Sequence, residues 1–331
     1  DTANQWVRQS DIETYLDVVK DAKAVRDSLD VTQTDIDHAV QVLAQATDIF
    51  NAAKKYGLKS TDIPVTPQIA LNKLTDYYKD NQPTSPSGSW EAFVGLWGAG
   101  EDLSTSPWED ASWKTLDPGF DSQTNANDHI YYIYSLLSVG KNPAKAFETE
   151  RNLFLELSVQ QDQDSGSFGS LGKHIWAIVA LDVGETLGVD VGTWNASNKE
   201  KAVDHLILQQ NPDGSFGAFS QIDYTGWSLI ALSKANGPTV DTSIVKAKQY
   251  LKSMQQESGG FGGSGMWDAE NSNSIACAIQ GLIAIGEDVT STDGAWNYNG
   301  KTPIDALLSY QNSEGAFDWQ KDNPGAVFMS T

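Results

Sequence analysis

Residues 209–217 read Gln-Gln-Asn-Pro-Asp-Gly-Ser-Phe-Gly, and the same phrase returns in three other places. Residues 160–169 give Gln-Gln-Asp-Gln-Asp-Ser-Gly-Ser-Phe-Gly, residues 255–262 give Gln-Gln-Glu-Ser-Gly-Gly-Phe-Gly, and residues 311–317 give Gln-Asn-Ser-Glu-Gly-Ala-Phe. Each joins a glutamine, an acidic glycine-bearing turn and an aromatic, between an amphipathic run and an apolar one. Phenylalanines at 120, 168, 216, 261 and 317 space the repeat at 48, 48, 45 and 56 residues. Periods of that length belong to arrays of supersecondary units, none of which can bury its apolar face alone.

The runs on either side of the turns alternate in kind. Charge on one face marks amphipathic helices near 68–80, 109–116, 145–160, 198–210, 240–256 and 303–311, as in Ser243-Ile-Val-Lys-Ala-Lys-Gln-Tyr-Leu-Lys-Ser-Met-Gln-Gln256. The other set, near 90–98, 125–139, 172–184, 222–235, 270–286 and from 326 onward, is apolar nearly all round. His174-Ile-Trp-Ala-Ile-Val-Ala-Leu181 and Ser274-Ile-Ala-Cys-Ala-Ile-Gln-Gly-Leu-Ile-Ala-Ile285 are examples, and such helices must be wrapped by others. The expected fold is all-α, with about six hairpins pairing an inner with an outer helix. Closing the array into a ring removes its ends and leaves the inner helices around a central cavity.

The start of the chain differs. Residues 1–60 hold one glycine, Gly57, and no proline. Tyr15, Val18, Ala22, Val25 and Leu29 form one 3-4 seam, and Ile36, Ala39, Leu43, Ala46 and Phe50 form another. Thr32 and Asp35 suit a capping box. Residues 1–61 are expected to be a helical hairpin, a packing or spacer module. The prolines of Ile63-Pro64-Val65-Thr66-Pro67 mark a linker, and residues 62–331 form the ring.

Bulk properties narrow the partners. The 331 residues carry 44 acidic and 22 basic side chains, for a net charge of −22. Nucleic acid and anionic lipid need a basic surface, so neither is expected as a partner. No apolar run reaches the ~18 residues of a membrane span. The single cysteine, Cys277, leaves no internal disulfide framework and reads as a small buried hydrophobe. The start at Asp1 suggests a processed or excised fragment. Pro324-Gly-Ala-Val-Phe-Met-Ser-Thr331 opens a last inner helix, so the native chain is expected to run on.

The repeat at 209–217 resembles that of the squalene cyclase, protein prenyltransferase and cobalamin-carrier superfamily, which implies an α6/α6 toroid. Leu136-Leu-Ser-Val-Gly-Lys-Asn-Pro143, Asp223-Tyr-Thr-Gly-Trp-Ser-Leu-Ile-Ala-Leu232 and the stretch from Glu270 to Glu287 are similar to inner-helix signatures of toroids on bacterial surface proteins. The N-terminal hairpin resembles helical modules of Gram-positive surface proteins. The resemblance implies a secreted or cell-surface location.

The superfamily's chemistries can be compared with the chain one at a time. Cyclases protonate substrate with an aspartate of Asp-x-Asp-Asp-Thr. The matching stretch runs from Gln221 to Thr225 and keeps only the middle carboxylate, Asp223. Alone, Asp223 lacks the cluster that would hold its proton, and it reads equally as a ligand contact or a helix N-terminal carboxylate. Prenyltransferase zinc needs Asp-x-Cys, whereas Ile275 stands two residues before Cys277. Lanthionine cyclases need a second cysteine, and thioester proteins need Cys-Gly-Glu-Gln. His38 in the hairpin and His205 on an outer helix leave few zinc ligands. No cofactor is expected. Asp128, Asp223 and Glu270 could face one cleft as a glycosidase pair would.

The cavity mouth is the remaining candidate. The starts of the inner helices supply Trp90 with Glu91, Asp128 with His129, Lys173 with His174, Asp223 with Tyr224 and Trp227, and Glu270 with Asn271 and Asn273. The turns add Phe219, Trp267, Phe317 and Trp319. Phe168, Phe216 and Phe261 recur in every unit and read as packing between repeats. The candidate ligand residues are Trp90, Asp128, His129, His174, Asp223, Tyr224, Trp227, Trp267, Glu270 and Asn271, with no catalytic or metal residue assigned. Aromatics with a few polar groups suit a small molecule, corrinoid-like or isoprenoid, or a glycan. The expected function is non-catalytic binding of a ligand or partner in the cavity. The alternatives are an enzyme acting there on an isoprenoid or glycan, and a structural spacer.

Overall fold

The computed structural model describes residues 5–6, 9–28, 31–53, 55–56, 66–105, 108, 117, 119–120, 126–263 and 269–321. Backbone contacts divide the chain into two compact units, Asp1–Val65 and Thr66–Thr331.

In the first unit, α1 (Gln9–Asp27) packs on α2 (Gln33–Ala53), and two-residue strands β1 (Gln5–Trp6) and β2 (Lys55–Tyr56) pair antiparallel. The seam closes through Tyr15, whose ring stacks on Phe50 at 4.7 Å. Leu29, the last residue of the expected first seam, lies outside the described residues. The capping box is present: the Asp35 N–H donates to Thr32 Oγ1 at 3.2 Å, and the Thr32 N–H donates to Asp35 Oδ2 at 2.9 Å. Those donors hold the Asp35 carboxyl below its usual range.

The second unit is helical throughout its described regular structure. Its outer helices are α3 (Pro67–Asp80), α6 (Leu153–Ser158), α8 (Ala196–Leu208), α10 (Pro238–Ser253) and α12 (Pro303–Leu308). The inner ones are α4 (Pro86–Gly98), α5 (Ala126–Ser138), α7 (Leu171–Thr186), α9 (Gln221–Leu232) and α11 (Ser272–Ala284). The expected windows near 109–116 and from 326 onward lie outside the described residues. One window is corrected. The amphipathic run at 145–160 does not form one helix, because Phe147 (φ 60°) and Glu150 (φ 51°) turn left-handed around an Ala146–Arg151 bridge. The helix restarts only where Asn152 Oδ1 accepts from the N–H groups of Phe154 and Leu155, both at 3.1 Å.

The repeated glutamine and glycine explain how unit joins unit. Gln161 Nε2 donates to the carbonyl of its own turn, Gly166 O (3.1 Å), and to Asn198 O at the next outer helix (2.7 Å). Gln210 bonds Gly214 O and Ser243 O, both at 2.9 Å. Gln255 bonds Gly259 O (3.1 Å) and Trp296 O (2.6 Å). Gln311 bonds Gly315 O (2.8 Å) and then Ala70 O (2.7 Å), which ties the last described hairpin back to the first outer helix and closes the ring. The glycine after each glutamine is needed twice over. Its φ lies between 78° and 98° at Gly166, Gly214, Gly259 and Gly315. A Cβ there would stand 2.3–2.5 Å from a carbonyl oxygen of Lys201, Lys246, Thr302 or Lys73.

The repeated phenylalanine fills the space inside each turn. Phe168, Phe216, Phe261 and Phe317 are all buried, and Phe216 and Phe261 are fully enclosed. Together with α7 and α11, whose side chains are buried on most sides, they form one continuous core.

Candidate ligand cavity

The described inner helices surround a cavity of about 610 Å³. Helix α4 contributes Trp90 and Glu91, α5 contributes Tyr131 and Tyr134, and α7 contributes Trp176. Helix α9 adds Asp223, Tyr224 and Trp227, and α11 adds Asn273, Ala276, Cys277 and Gln280 at positions i, i+3, i+4 and i+7 of one helical face. The rings touch one another in series. Trp90 stacks on Tyr134 at 5.0 Å, and Trp176 stands edge-on to Trp90 at 5.0 Å and 77°. Trp227 follows Trp176 at 5.9 Å, Tyr224 follows Trp227 at 5.5 Å, and Phe219 follows Tyr224 at 6.5 Å. Phe219 is 64% exposed at the mouth, next to Ser220, which caps α9 in the left-handed conformation (φ 48°).

The polar end of the cavity depends on two glycines. Gly226 on α9 and Gly281 on α11 let the helix backbones touch. A Cβ on Gly281 would fall 2.3 Å from Gly226 O, and one on Gly226 would fall 2.2 Å from Cys277 O. That approach brings α11 side chains onto Asp223, which is 8% exposed. Ser274 Oγ donates to Asp223 Oδ1 at 2.5 Å, and Asn273 Nδ2 donates to Oδ2 at 2.8 Å. Ser274 Oγ in turn accepts from Asn271 Nδ2 at 3.0 Å. Both carboxylate oxygens therefore serve as acceptors. Glu91 is exposed to the cavity, and partial loss of water around its carboxyl pushes its pKa up. Burial, with Asp223 and Glu91 adding repulsion, drives the Cys277 thiol well above its ordinary pKa and leaves it an un-ionised wall group.

Of the residues expected at the site, the structure brings together Trp90, Asp223, Tyr224 and Trp227, while Trp267 lies outside the described residues. The remaining five do not line the cavity. Asp128 is half-buried in the first turn of α5. His129 is fully buried, with Nε2 at 3.0 Å from Glu156 Oε2 and Nδ1 at 3.2 Å from Gln160 Nε2. Arg151 clamps the same Glu156, with Nη2 at 2.6 Å and Nε at 3.0 Å, and lies over Phe120, so this cluster is a packing knot. Glu270 accepts from Ser258 Oγ and from Tyr310 OH, the latter at 2.9 Å, and so ties its turn to the outer layer. Asn271 caps α11 by accepting from the Ser274 N–H at 2.8 Å. It reaches Asp223 only through Ser274.

His174 is corrected most sharply, because its apparent uniqueness hides a recurring role. Its Nδ1 accepts from the Phe168 N–H at 3.2 Å, and Nε2 lies 2.9 Å from Ala202 O. One repeat later Thr225 Oγ1 accepts from the Phe216 N–H at 3.0 Å. The two residue types do one job, satisfying the amide of the buried phenylalanine. Burial lowers the His174 pKa to about 4 from 6.5. The unfolded chain therefore takes up a proton below pH 6.5 that the folded chain refuses until about pH 4, so stability falls as pH drops through that window. The expected loss is about 3 kcal/mol by pH 4, at about 1.4 kcal/mol per pKa unit. Urea midpoints measured from pH 7 to 4 should show it, and His174→Gln should flatten the slope.

Tyr131, Tyr134, Trp176 and Cys277 were not among the expected site residues. Their signal was the helical phase itself: 131 with 134 on α5, and 273, 276, 277 and 280 on α11, each form a stripe on one face.

No family model matches the chain. A squalene–hopene cyclase of Zymomonas mobilis subsp. mobilis is 34% identical over 125 residues, covering 37% of this chain and 18% of that protein. The match thus takes in less than a fifth of that relative's length. Among solved structures, the type II terpene cyclase MstE from Scytonema, in its apo form, is similar with a TM-score of 0.48 and 11% identity over 75% of this chain and 81% of that one. A variant of the same cyclase gives 0.43 and 12% over 77% and 72%. The described helices of the second unit form an all-α ring of inner and outer hairpins, and the likeness to the squalene–hopene cyclase is confined to the 125 matched residues.

Proposed function

We propose that this chain is a non-catalytic binding module that holds a small molecule in the aromatic cavity of its toroid. The observation that carries the reading is the pair of hydrogen bonds on Asp223. A carboxylate that accepts one hydrogen bond on each oxygen, from Ser274 and Asn273, is favoured as an anion, which opposes delivery of a proton to an alkene. No basic side chain is among the described lining residues, so an isoprenoid bearing a diphosphate fits poorly. A corrinoid, an uncharged isoprenoid or a glycan would present its apolar face to the rings. The net charge of −22 and the N-terminal hairpin support a secreted or surface-displayed bacterial protein, with residues 1–61 as stalk and 62–331 as binding module.

A thermal-shift panel of corrinoids, isoprenoids and cell-wall glycans tests this reading. A ligand present at a hundred times its dissociation constant should add about 2.7 kcal/mol to the native state. A flat response across the panel would contradict the reading. Cyclisation of an isoprenoid is the second reading, favoured by the likeness to the squalene–hopene cyclase. A cyclised product that disappears on Asp223→Asn would establish it in place of the first.

A further inference from the structure

Resting on that reading of the cavity, we infer that its preferred ligand is an organic cation, a substituted ammonium with apolar groups. Three observations converge. First, the wall is aromatic along a continuous path, and its rings are turned against one another. Trp176 stands 77° to Trp90 and 59° to Trp227, and Tyr224 stands 87° to Trp227. Rings so turned make a box with faces in several directions, whereas a sugar usually stacks on one flat platform. Ring faces attract a cation, and the attraction strengthens as water is removed.

Second, the charge of the lining has one sign. Asp223 and Glu91 are its ionisable carboxyls, and no Lys, Arg or His is among the described lining residues. Glu91 is exposed to the cavity, and partial loss of water around its carboxyl pushes its pKa up. A bound cation compensates the charge of both carboxylates. The overall charge of −22 adds long-range attraction of the same sign.

Third, Asp223 has both oxygens engaged by Ser274 and Asn273. Its charge nevertheless lies at the cavity wall with Glu91 and with no cation among the described lining residues. Charge of one sign in an aromatic wall favours a cation over a neutral polyol. A quaternary ammonium, with charge and no donor, meets these conditions better than a polyol.

The test is a titration of the full 331-residue chain, followed by tryptophan emission, with benzyltrimethylammonium and its uncharged carbon isostere neopentylbenzene. The two share shape and differ by one charge. The cation should bind at least tenfold more tightly. Glu91→Gln and Asp223→Asn, which keep side-chain volume, should together cut that preference to threefold or less, with circular dichroism confirming the fold. Equal or tighter binding of neopentylbenzene, or a preference untouched by both substitutions, would overturn the inference. If neopentylbenzene binds and Trp227→Ala weakens it, the cavity remains a binding site of different selectivity. If neither probe binds, the cation inference falls, and the panel of corrinoids, isoprenoids and glycans still decides the module reading separately.

Discussion

Gly281→Ala is expected to lower the stability of the toroid by about 3 kcal/mol or more, the upper part of the range for overpacking. The added methyl would sit 2.3 Å from the carbonyl oxygen of Gly226, and other Gly226 backbone atoms lie within 2.8 Å. No rotamer change can relieve a clash between a Cβ and a facing main chain, so α9 and α11 must move apart. The site moves with them. Asn273 and Ser274 are held on Asp223 only because these helices touch, so a separation of about 1 Å would strain hydrogen bonds of 2.8 and 2.5 Å. A midpoint lowered by some 6–12 °C is the expected reading, at about 2–4 °C per kcal/mol for a domain of this size. The exposed Gly140, with nothing near its would-be Cβ but φ at 71°, separates conformational strain from steric overlap. Gly140→Ala should cost about 1 kcal/mol.

Phe216→Ala should cost about 4 kcal/mol, whereas Phe219→Ala, three residues away, should stay within about 0.5 kcal/mol. Phe216 is fully buried, with its N–H on Thr225 and its ring inside the turn that Gln210 clasps to Ser243 O. Removing the ring leaves a void in the joint between two hairpins. Neither neighbour can collapse into it, because Gly214 already lies against the backbone of Lys246. Phe219 is 64% exposed at the cavity mouth, and its loss should appear in ligand affinity instead. Urea denaturation of the two variants compares them directly. Equal losses would mean that the repeated phenylalanine is not what joins the units.

The comparison of these two phenylalanines shows what a sequence can reveal. Phe168, Phe216, Phe261 and Phe317 recur with the glutamine and glycine around them, and recurrence reports a role that every unit shares, so the architecture was legible. The cavity does not recur, and it depends on helical phase. Trp90, Asp223, Tyr224 and Trp227 were found because aromatic and acidic side chains stand out near helix starts. Asn271 stood in the same kind of place and proved to be a cap, since one residue along a helix turns the side chain by about 100°. His174 was misread for a different reason: its counterpart is Thr225, and nothing in the letters says that an imidazole and a hydroxyl accept from equivalent amides. Cys277 read correctly as buried, but its place in the cavity wall required the Gly226–Gly281 contact, which joins residues 55 apart in sequence.

Ligand is expected to sit against the rings between the inner helices. Isothermal titration of the ligand giving the largest thermal shift, into the wild-type chain and into Trp227→Ala, measures this most directly. Trp227 touches Trp176 and Tyr224 and is only half-buried, so its loss should leave the fold intact. Affinity should be at least tenfold weaker in Trp227→Ala, or about 1.4 kcal/mol. Unchanged affinity in a folded Trp227→Ala chain would place the ligand elsewhere and contradict that expectation.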